Sequence, residues 1–252
     1  MREESVAAVR ARIDAARSLF VLTGAGMSAE SGIATFRDAL TGLWSRFDPA
    51  QLASEEGFRA EPARVWAWYA ERRDGVRAAS PNAGHVALSE FARRRPGVLT
   101  LVSQNVDDLH QRAGNTDAIR LHGDITADRW LERCAREPAC EPRDAQPGSP
   151  PRCAACGNLL RPDVVWFGEM LPPAALQAAE RAAESCDVAL IVGTSGAVWP
   201  AAGLAACARR AGAFVAIVNP HGSEIDDQAH VVLRATAAQA LPSLLQRSWI
   251  RL

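Results

Sequence analysis

Three groups of residues in this chain have types and spacings that suit chemistry. The first is Gly24-Ala25-Gly26-Met27-Ser28-Ala29-Glu30-Ser31-Gly32, directly after the apolar run Leu19-Phe20-Val21-Leu22. A buried strand that breaks into a glycine-rich turn and a helix start builds a phosphate site. Glycines admit backbone N–H groups to a pyrophosphate, and a helix N-terminus adds partial positive charge. Gly24-x-Gly26-x-x-Ala29 fits the G-x-G-x-x-G/A dinucleotide pattern, which a tight turn without a ligand also satisfies. The second group is Ser103-Gln104-Asn105-Val106-Asp107-Asp108-Leu109-His110, with Leu121-His122-Gly123 beyond it. Gln104, Asn105 and Asp107 offer carboxamides and a carboxylate to ribose hydroxyls or an ordered water. His122 is of the type that takes a proton from a sugar hydroxyl near neutral pH. Read alone, a histidine here is more often structural.

The third group is cysteine. Cys153-x2-Cys156 has zinc-knuckle spacing, and Cys134-x5-Cys140 supplies two more thiols at a wider gap than the common one. Residues 134–157 contain almost no large apolar side chains, so a tetrahedral metal would supply folding energy that a core cannot. The alternative is four unrelated thiols in a loop. With no fifth ligand in obvious reach, a zinc here would be closed and structural rather than catalytic. Cys186 and Cys207 lie among alanines and apolar residues and read as small core residues.

The elements that must position these groups follow from the apolar runs. Val98–Val102, Val188–Val192 and Phe214–Val218 read as buried parallel strands, and each leads into polar loop residues. Val231–Leu233 reads as an edge strand, and 174–185 and 201–211 read as helices between strands. Alternating strands and helices predict an α/β fold, a Rossmann-like parallel sheet whose ligands lie beyond the carboxyl ends of the strands. An ordinary dinucleotide fold would place an acid about 20 residues after the glycines. Here Gly32 interrupts the helical pattern, and Thr35, Phe36, Arg37, Trp44 and Pro49 read instead as a loop covering a cofactor. Residues 36–80 and 125–170 do not join the sheet pattern. They predict a smaller inserted lobe, made of a helical segment and a cysteine module, on a core of about 1–35, 81–124 and 171–252.

Composition bounds the rest. The 252 residues are 48% hydrophobic and 23% charged with a net charge of −1, which leaves no global field to recruit nucleic acid or an anionic membrane. No apolar window reaches the roughly 18 residues of a spanning helix. The N-terminal Met1-Arg2-Glu3-Glu4-Ser5 has no apolar stretch behind it, so the expected location is the cytoplasm. All 28 basic residues are arginine, a bias that genomic base composition explains.

Together, GAGMSAESGIATFRD at 24–38, QNVDDLH at 104–110, HG at 122–123, the four cysteines, VVWFGE at 164–169, GTS at 193–195 and VNP at 218–220 resemble the sirtuins. These are NAD-dependent protein-lysine deacylases, and the motifs run in the family's order over most of the chain. Ser103, Met27 and Asp38 stand where the family more often has threonine, isoleucine and glycine. The resemblance implies NAD as a co-substrate along the sheet edge, with its pyrophosphate at Gly24, Ala25, Gly26 and Ser28 and with Glu30 nearby. It implies adenosine near Gly193, Thr194, Ser195, Asn219, Pro220, His221 and Ala237. Thr35, Phe36, Arg37 and Trp44 would cover the nicotinamide ribose, and Gln104, Asn105, Val106 and Asp107 would form the nicotinamide pocket. The acyl oxygen of the modified lysine would displace nicotinamide, with His122 as the general base on the ribose hydroxyls. Nicotinamide, free lysine and O-acyl-ADP-ribose would leave. The acylated peptide would bind as an added strand against Val164, Val165, Trp166, Phe167, Gly168 and Glu169. One structural zinc ion would sit on Cys134, Cys140, Cys153 and Cys156; the sequence leaves the oligomeric state open, with a monomer favoured.

Trp66-Ala67-Trp68-Tyr69-Ala70-Glu71-Arg72-Arg73 reads as part of a helix begun near Pro62. Tyr69 and Arg72, three apart, share a face, where a phenol and a guanidinium can hold a carboxylate. A half-buried tyrosine beside a solvent-facing arginine is the plain alternative. Tyr-x-x-Arg resembles the acyl pocket of the desuccinylase and demalonylase branch of the sirtuins, which implies a preference for acyl groups ending in a carboxylate. A dehydrogenase, an ADP-ribosyltransferase, a plain deacetylase and a non-enzymatic NAD- or zinc-binding module are the competing functions.

Overall fold

The computed structural model describes residues 2–34, 48–134 and 139–246. In chain order the elements are α1 (Glu3–Ala15), β1 (Leu19–Thr23), α2 (Pro49–Leu52), α3 (Glu55–Ala60), α4 (Pro62–Ala78), α5 (Ala83–Arg94), β2 (Leu99–Ser103) and α6 (Leu109–Arg112). There follow β3 (Ile119–Arg120), β4 (Gly123–Trp130), β5 (Ala145–Gln146), β6 (Arg152–Cys153), β7 (Leu160–Val164) and α7 (Pro173–Ser185). The chain then forms β8 (Val188–Val192), α8 (Gly203–Arg210), β9 (Phe214–Val218), β10 (Val231–Leu233) and α9 (Ala237–Leu245).

Six strands form one sheet in the order β10-β9-β8-β1-β2-β3, and every pairing in it is parallel. β1 and β8 are buried at every position because helices cover both faces, which is why they read as unbroken apolar runs rather than alternating ones. Successive side chains still divide between the faces. Leu19 and Val21 join the core under α1, α5 and α9, whereas Phe20 and Leu22 join the core under α7 and α8. A third apolar cluster, with Phe58, Val65, Trp68, Tyr69, Ile125, Val164 and Trp166, draws its residues from 52–76 and 125–166. There β4 and β7 pair antiparallel, and β5 and β6 make a short hairpin beside them.

From β1 the sheet is laid outward through β2 and β3, and then the chain returns to add β8 on the other side of β1. The strand order therefore reverses between β1 and β8, the place where open α/β sheets bind ligands. Thr23 is level with both Ser103 and Val192, and Val192 with Val218, so four polar loops leave the sheet at one height.

The turn after β1 differs from the sequence reading. Two 3-10 turns, Ala25–Met27 and Ala29–Ser31, stand where a helix start was expected, and Gly32 ends the second at φ 83°. A chain that turns left-handed there cannot continue a helix, so the expected full helix dipole is replaced by N–H groups of short turns. The three glycines around this turn interlock. A Cβ on Gly193 would lie 2.6 Å from the Gly26 carbonyl carbon and the Met27 nitrogen, and one on Gly24 would lie 2.8 Å from the Thr194 Cβ. Gly193 also has φ 62°. Gly193→Ala is therefore expected to lower stability by about 1–3 kcal/mol through strain and overpacking. Gly75→Ala, in α4 with nothing within 4 Å of the added methyl, is expected to raise it by about 0.5–1 kcal/mol. Denaturant midpoints of the two variants check both signs.

Candidate active site

The polar loops converge over the switch point through backbone hydrogen bonds. Gly24 N–H donates to the Val192 carbonyl at 2.9 Å, Gly26 N–H to Gly193 at 2.8 Å, Gly193 N–H to Val218 at 2.9 Å and Gln104 N–H to Thr23 at 2.9 Å. Side chains follow the same links. Gln104 Nε2 donates to Thr194 Oγ1 at 3.2 Å, and Asn219 Nδ2 donates to the Thr194 carbonyl at 2.8 Å. His221 N–H lies 3.5 Å from Asn219 Oδ1. Ser195 and Pro220 lie beside them in the same loops. Gly24, Ala25, Gly26, Gln104, Gly193, Thr194 and Asn219, read from distant parts of the sequence, thus share one carboxyl edge.

Below them lies a buried polar triad. Ser28 Oγ donates to Asp107 Oδ2 at 2.9 Å and accepts from Asn105 Nδ2 at 3.1 Å. Asp107 Oδ1 accepts the Leu109 N–H at 3.1 Å. Burial pushes the Asp107 carboxyl above its ordinary range, against the pull of the Leu109 N–H and the Ser28 hydroxyl. Val106, between Asn105 and Asp107, packs against the third core, and its carbonyl accepts the Ile125 N–H at 2.9 Å.

His122 follows the end of β3. Its Nδ1 lies 2.7 Å from the Gln104 carbonyl oxygen, which can only accept, so Nδ1 carries the proton and the neutral ring presents its lone pair at Nε2. Burial lowers the His122 pKa below 6.5, opposed by the bond to Gln104, so the ring is neutral at neutral pH. Gly123 is required next to it. Its φ is 84°, and a Cβ would meet the Asp163 carbonyl oxygen at 2.2 Å, so only glycine lets β4 lie against β7 there. The Val165 N–H donates to the His122 carbonyl at 2.9 Å and ties the segment 164–169 to this residue.

That segment does not act as one surface. Val164 and Trp166 are buried in the third core, while Phe167 and Gly168 are exposed. Glu169 accepts the Trp166 N–H at 2.8 Å and pairs with Arg129 and with the buried Arg161. Arg161 lies over the Trp166 ring, 3.3 Å from its centroid, so the Glu169 carboxylate offsets a buried charge rather than facing an open cleft. Glu30 is turned the same way, since its Oε2 accepts the Ala238 N–H at 3.0 Å and caps the start of α9. Ala237 is buried beside it. Thr35, Phe36, Arg37 and Trp44 lie outside the described residues.

On α4, Tyr69 is buried, and its oxygen accepts the Trp166 indole N–H at 2.9 Å. Its own hydroxyl proton is left free to donate. Desolvation pushes its pKa up to about 12, so it stays a phenol. The Arg72 guanidinium lies 4.9 Å from the Trp68 ring centroid, and burial lowers its pKa while Tyr69 and Asp107 pull it back up. Among the described residues no acid forms an ion pair with Arg72. Its neighbour Arg73 is taken up structurally by the Ile125 and Ala127 carbonyls and by Asp128.

The thiol groups of Cys134, Cys140 and Cys156 lie within 4.8 Å of one another, with Cys140 Sγ 4.0 Å from Cys156 Sγ. Three thiols gathered within 4.8 Å, with Cys153 close by in sequence to Cys156, are a donor set that fits a closed structural zinc.

Two further residues lie at the base of the site, His110, which the sequence places in the second group without a role, and His85, which it does not single out. His110 Nε2 lies 3.0 Å from Thr23 Oγ1, and the rings of His110 and His85 are 4.8 Å apart. Only the folded contact between α5 and α6 brings them together. His85 Nε2 and His110 Nδ1 are buried with no hydrogen-bond partner among the described residues.

The fold and site define a Rossmann-like α/β protein with a polar cleft at its switch point and a cysteine-bearing small lobe. The profile of the Sir2 family matches residues 24–200, and the chain belongs to that family. It is 53% identical over 239 residues to an NAD-dependent protein deacylase of Ralstonia nicotianae, covering 95% of each chain. A protein of the same name from Thermus thermophilus is 46% identical over 251 residues, covering 97% of this chain and 96% of the other. Among solved structures, a Sir2 homologue in complex with NAD superposes with a TM-score of 0.81 at 41% identity, over 97% of this chain and 93% of that one. A Sir2 protein bound to acetylated peptide superposes at 0.79 with 28% identity, over 96% of both chains. No described helix is long and apolar enough to cross a membrane.

Two outcomes follow for the purified protein. It is expected to carry one zinc per chain by elemental analysis, and Cys156→Ser is expected to lose the metal and lower the melting temperature; a metal-free, fully folded wild type would contradict this. Burial depresses His85 to about 4 and His110 to about 3. Below about 6.5 the unfolded chain therefore binds more protons than the folded one, so stability is intact above that pH and is lost toward pH 4. A denaturant midpoint that stays flat from pH 7 to 4 would contradict the assignment.

Proposed function

We propose that this chain removes acyl groups from protein lysine side chains while consuming NAD, releasing nicotinamide and O-acyl-ADP-ribose. The observation that carries this reading is the His122 imidazole, neutral and with Nε2 open, at the switch point beside the glycine cradle. The pyrophosphate lies against the turn from Gly24 to Ser28. Adenosine lies by Gly193, Ser195, Asn219 and His221. Nicotinamide lies over Gln104, Asn105, Val106 and Asp107, with Ser28 holding the two polar side chains in place. His122 Nε2 takes a proton from a ribose hydroxyl after the acyl oxygen has displaced nicotinamide. Zinc on the four thiols shapes the small lobe and takes no part in the reaction.

Tyr69 and Arg72 favour acyl groups that end in a carboxylate, such as succinyl and malonyl. A donating phenol and a dehydrated guanidinium without an ion-pair partner among the described residues form a receptor for one negative charge. Acetyl groups, lacking that charge, are accepted without the added attraction.

The purified chain, NAD and a panel of acetylated, malonylated, succinylated and glutarylated peptides test both parts. Nicotinamide and deacylated peptide are expected in equal amounts, and His122→Ala is expected to lower turnover by about 100-fold or more. Modified protein in place of O-acyl-ADP-ribose in the mass spectrum would show ADP-ribosyl transfer instead. Tyr69→Phe with Arg72→Met is expected to cut desuccinylation about 10- to 150-fold and to leave deacetylation nearly unchanged. Equal loss of both activities rejects the pocket. Because His122 is depressed, the acid limb of the rate profile is expected below pH 6.5, and a midpoint above 7 would contradict its role.

A further inference from the structure

We propose that His85 and His110 are positioning residues for NAD, a proton-ordered pair that clamps both ends of the glycine turn from behind. The inference rests on the reading that NAD occupies this turn, and it adds two residues that do not touch the dinucleotide.

Both rings are buried, His85 on α5 and His110 on α6, and their centroids are 4.8 Å apart. The partners of each ring fix where its proton sits. The Asn82 N–H donates to His85 Nδ1 at 3.3 Å, so Nδ1 holds a lone pair and Nε2 carries the proton. Thr23 Oγ1 donates at 3.4 Å to the Val102 carbonyl, which can only accept, and therefore accepts at 3.0 Å from His110 Nε2–H. His110 Nδ1 then holds a lone pair. His85 Nε2 and His110 Nδ1 are the two ring atoms with no partner among the described residues, and one is a donor where the other is an acceptor. Left apart, each gives up its hydration with nothing in return; a small rotation of either ring joins them in one hydrogen bond. Burial above all, with contributions from Arg112 at His85 and from Arg120 at His110, keeps both rings neutral and so preserves this order.

The resulting series of donors runs one way, from Asn82 through His85, His110 and Thr23 to Val102, and bonds aligned in this way polarise one another. What the series holds is the turn. At one end, Thr23 is the residue before Gly24, and its carbonyl accepts the Gln104 N–H at 2.9 Å. At the other end, Asn82 Nδ2 donates to the Met27 carbonyl at 2.8 Å and to Ser31 Oγ at 3.0 Å. Asn82 Oδ1 meanwhile accepts the Gly84 N–H at 2.9 Å and so starts α5. Residues 24–31, against which the pyrophosphate is proposed to lie, are thus fixed at both ends through a link that crosses between α5 and α6. A cradle already held in its ligand-bound shape loses less freedom on binding. The pair therefore contributes to NAD affinity rather than to the chemical step.

Two measurements test this. In imidazole nitrogen NMR spectra of the wild type at neutral pH, both histidines are expected as neutral Nε2–H tautomers, and a proton on Nδ1 of either would overturn the inference. In calorimetry, His110→Leu is expected to weaken NAD binding about 10-fold, while kcat at saturating NAD falls less than about 2-fold. His110→Gln, which keeps a donor toward Thr23, is expected to recover most of the affinity. The double variant His85→Leu with His110→Leu is expected to bind NAD no more weakly than the worse single one, because both changes remove the same link. Additive losses would overturn the proposal. So would an equal loss of NAD affinity in Leu88→Ala, a buried change on α5 that lowers the melting temperature without touching either ring. Each of these results leaves NAD binding by the wild type intact, whereas a wild type that binds no NAD would overturn the reading of the turn itself.

Discussion

The backbone of β1 and the backbone of β8 come so close at the carboxyl edge that no Cβ fits between them, and the rest of the site depends on that approach. Gly24, Gly26 and Gly193 each lack the atom that would hold the two loops apart. Their contact lets a run of backbone hydrogen bonds cross the edge, from Val218 to Gly193, from Gly193 to Gly26 and from Thr23 to Gln104. Those bonds set the heights of Thr194, Gln104 and Asn219, and the Gln104 carbonyl in turn fixes the tautomer of His122. Close-packed loop backbone thereby sets which nitrogen of the His122 ring carries the proton.

The small lobe solves a different problem, which is to keep polar groups available while they are largely out of water. Tyr69 is oriented by the Trp166 indole, and Trp166 is held by Glu169 and covered by the Arg161 guanidinium. The buried charge of Arg161 is tolerable only because Glu169 and the Val164 carbonyl satisfy it. Arg73 is held by backbone carbonyls and Asp128, whereas Arg72, one residue earlier, rests on the Trp68 ring and forms no ion pair among the described residues. Two adjacent arginines on one helix thus differ in their surroundings according to the face each presents.

The sheet was legible because its central strands are buried on both sides. Val188–Val192 and Phe214–Val218 have the bounds their apolar runs imply, and the second strand shifts by one residue to Leu99–Ser103. The two-residue β3 and α1, which buries only Val9 and Ile13, carry no such run and are not marked by the sequence pattern. The expected helix after β1 gives way to two 3-10 turns, the second ended by Gly32 at φ 83°, a conformation in which a helix cannot continue. Residues at strand ends were readable from type and spacing. The His85–His110 contact, the Glu30 cap on α9 and the Arg161–Glu169 pair join segments far apart in the chain, and no local pattern announces them.

The central claim is that His122 Nε2 faces the sugar of an NAD molecule seated on the glycine turn. A crystal structure of the protein with NAD and an acylated peptide tests it most directly. The account predicts pyrophosphate oxygens on the N–H groups of the turn after β1 and a nicotinamide-ribose hydroxyl within hydrogen-bond distance of Nε2. An imidazole turned away from the ribose, or a dinucleotide bound elsewhere on the sheet, would contradict it.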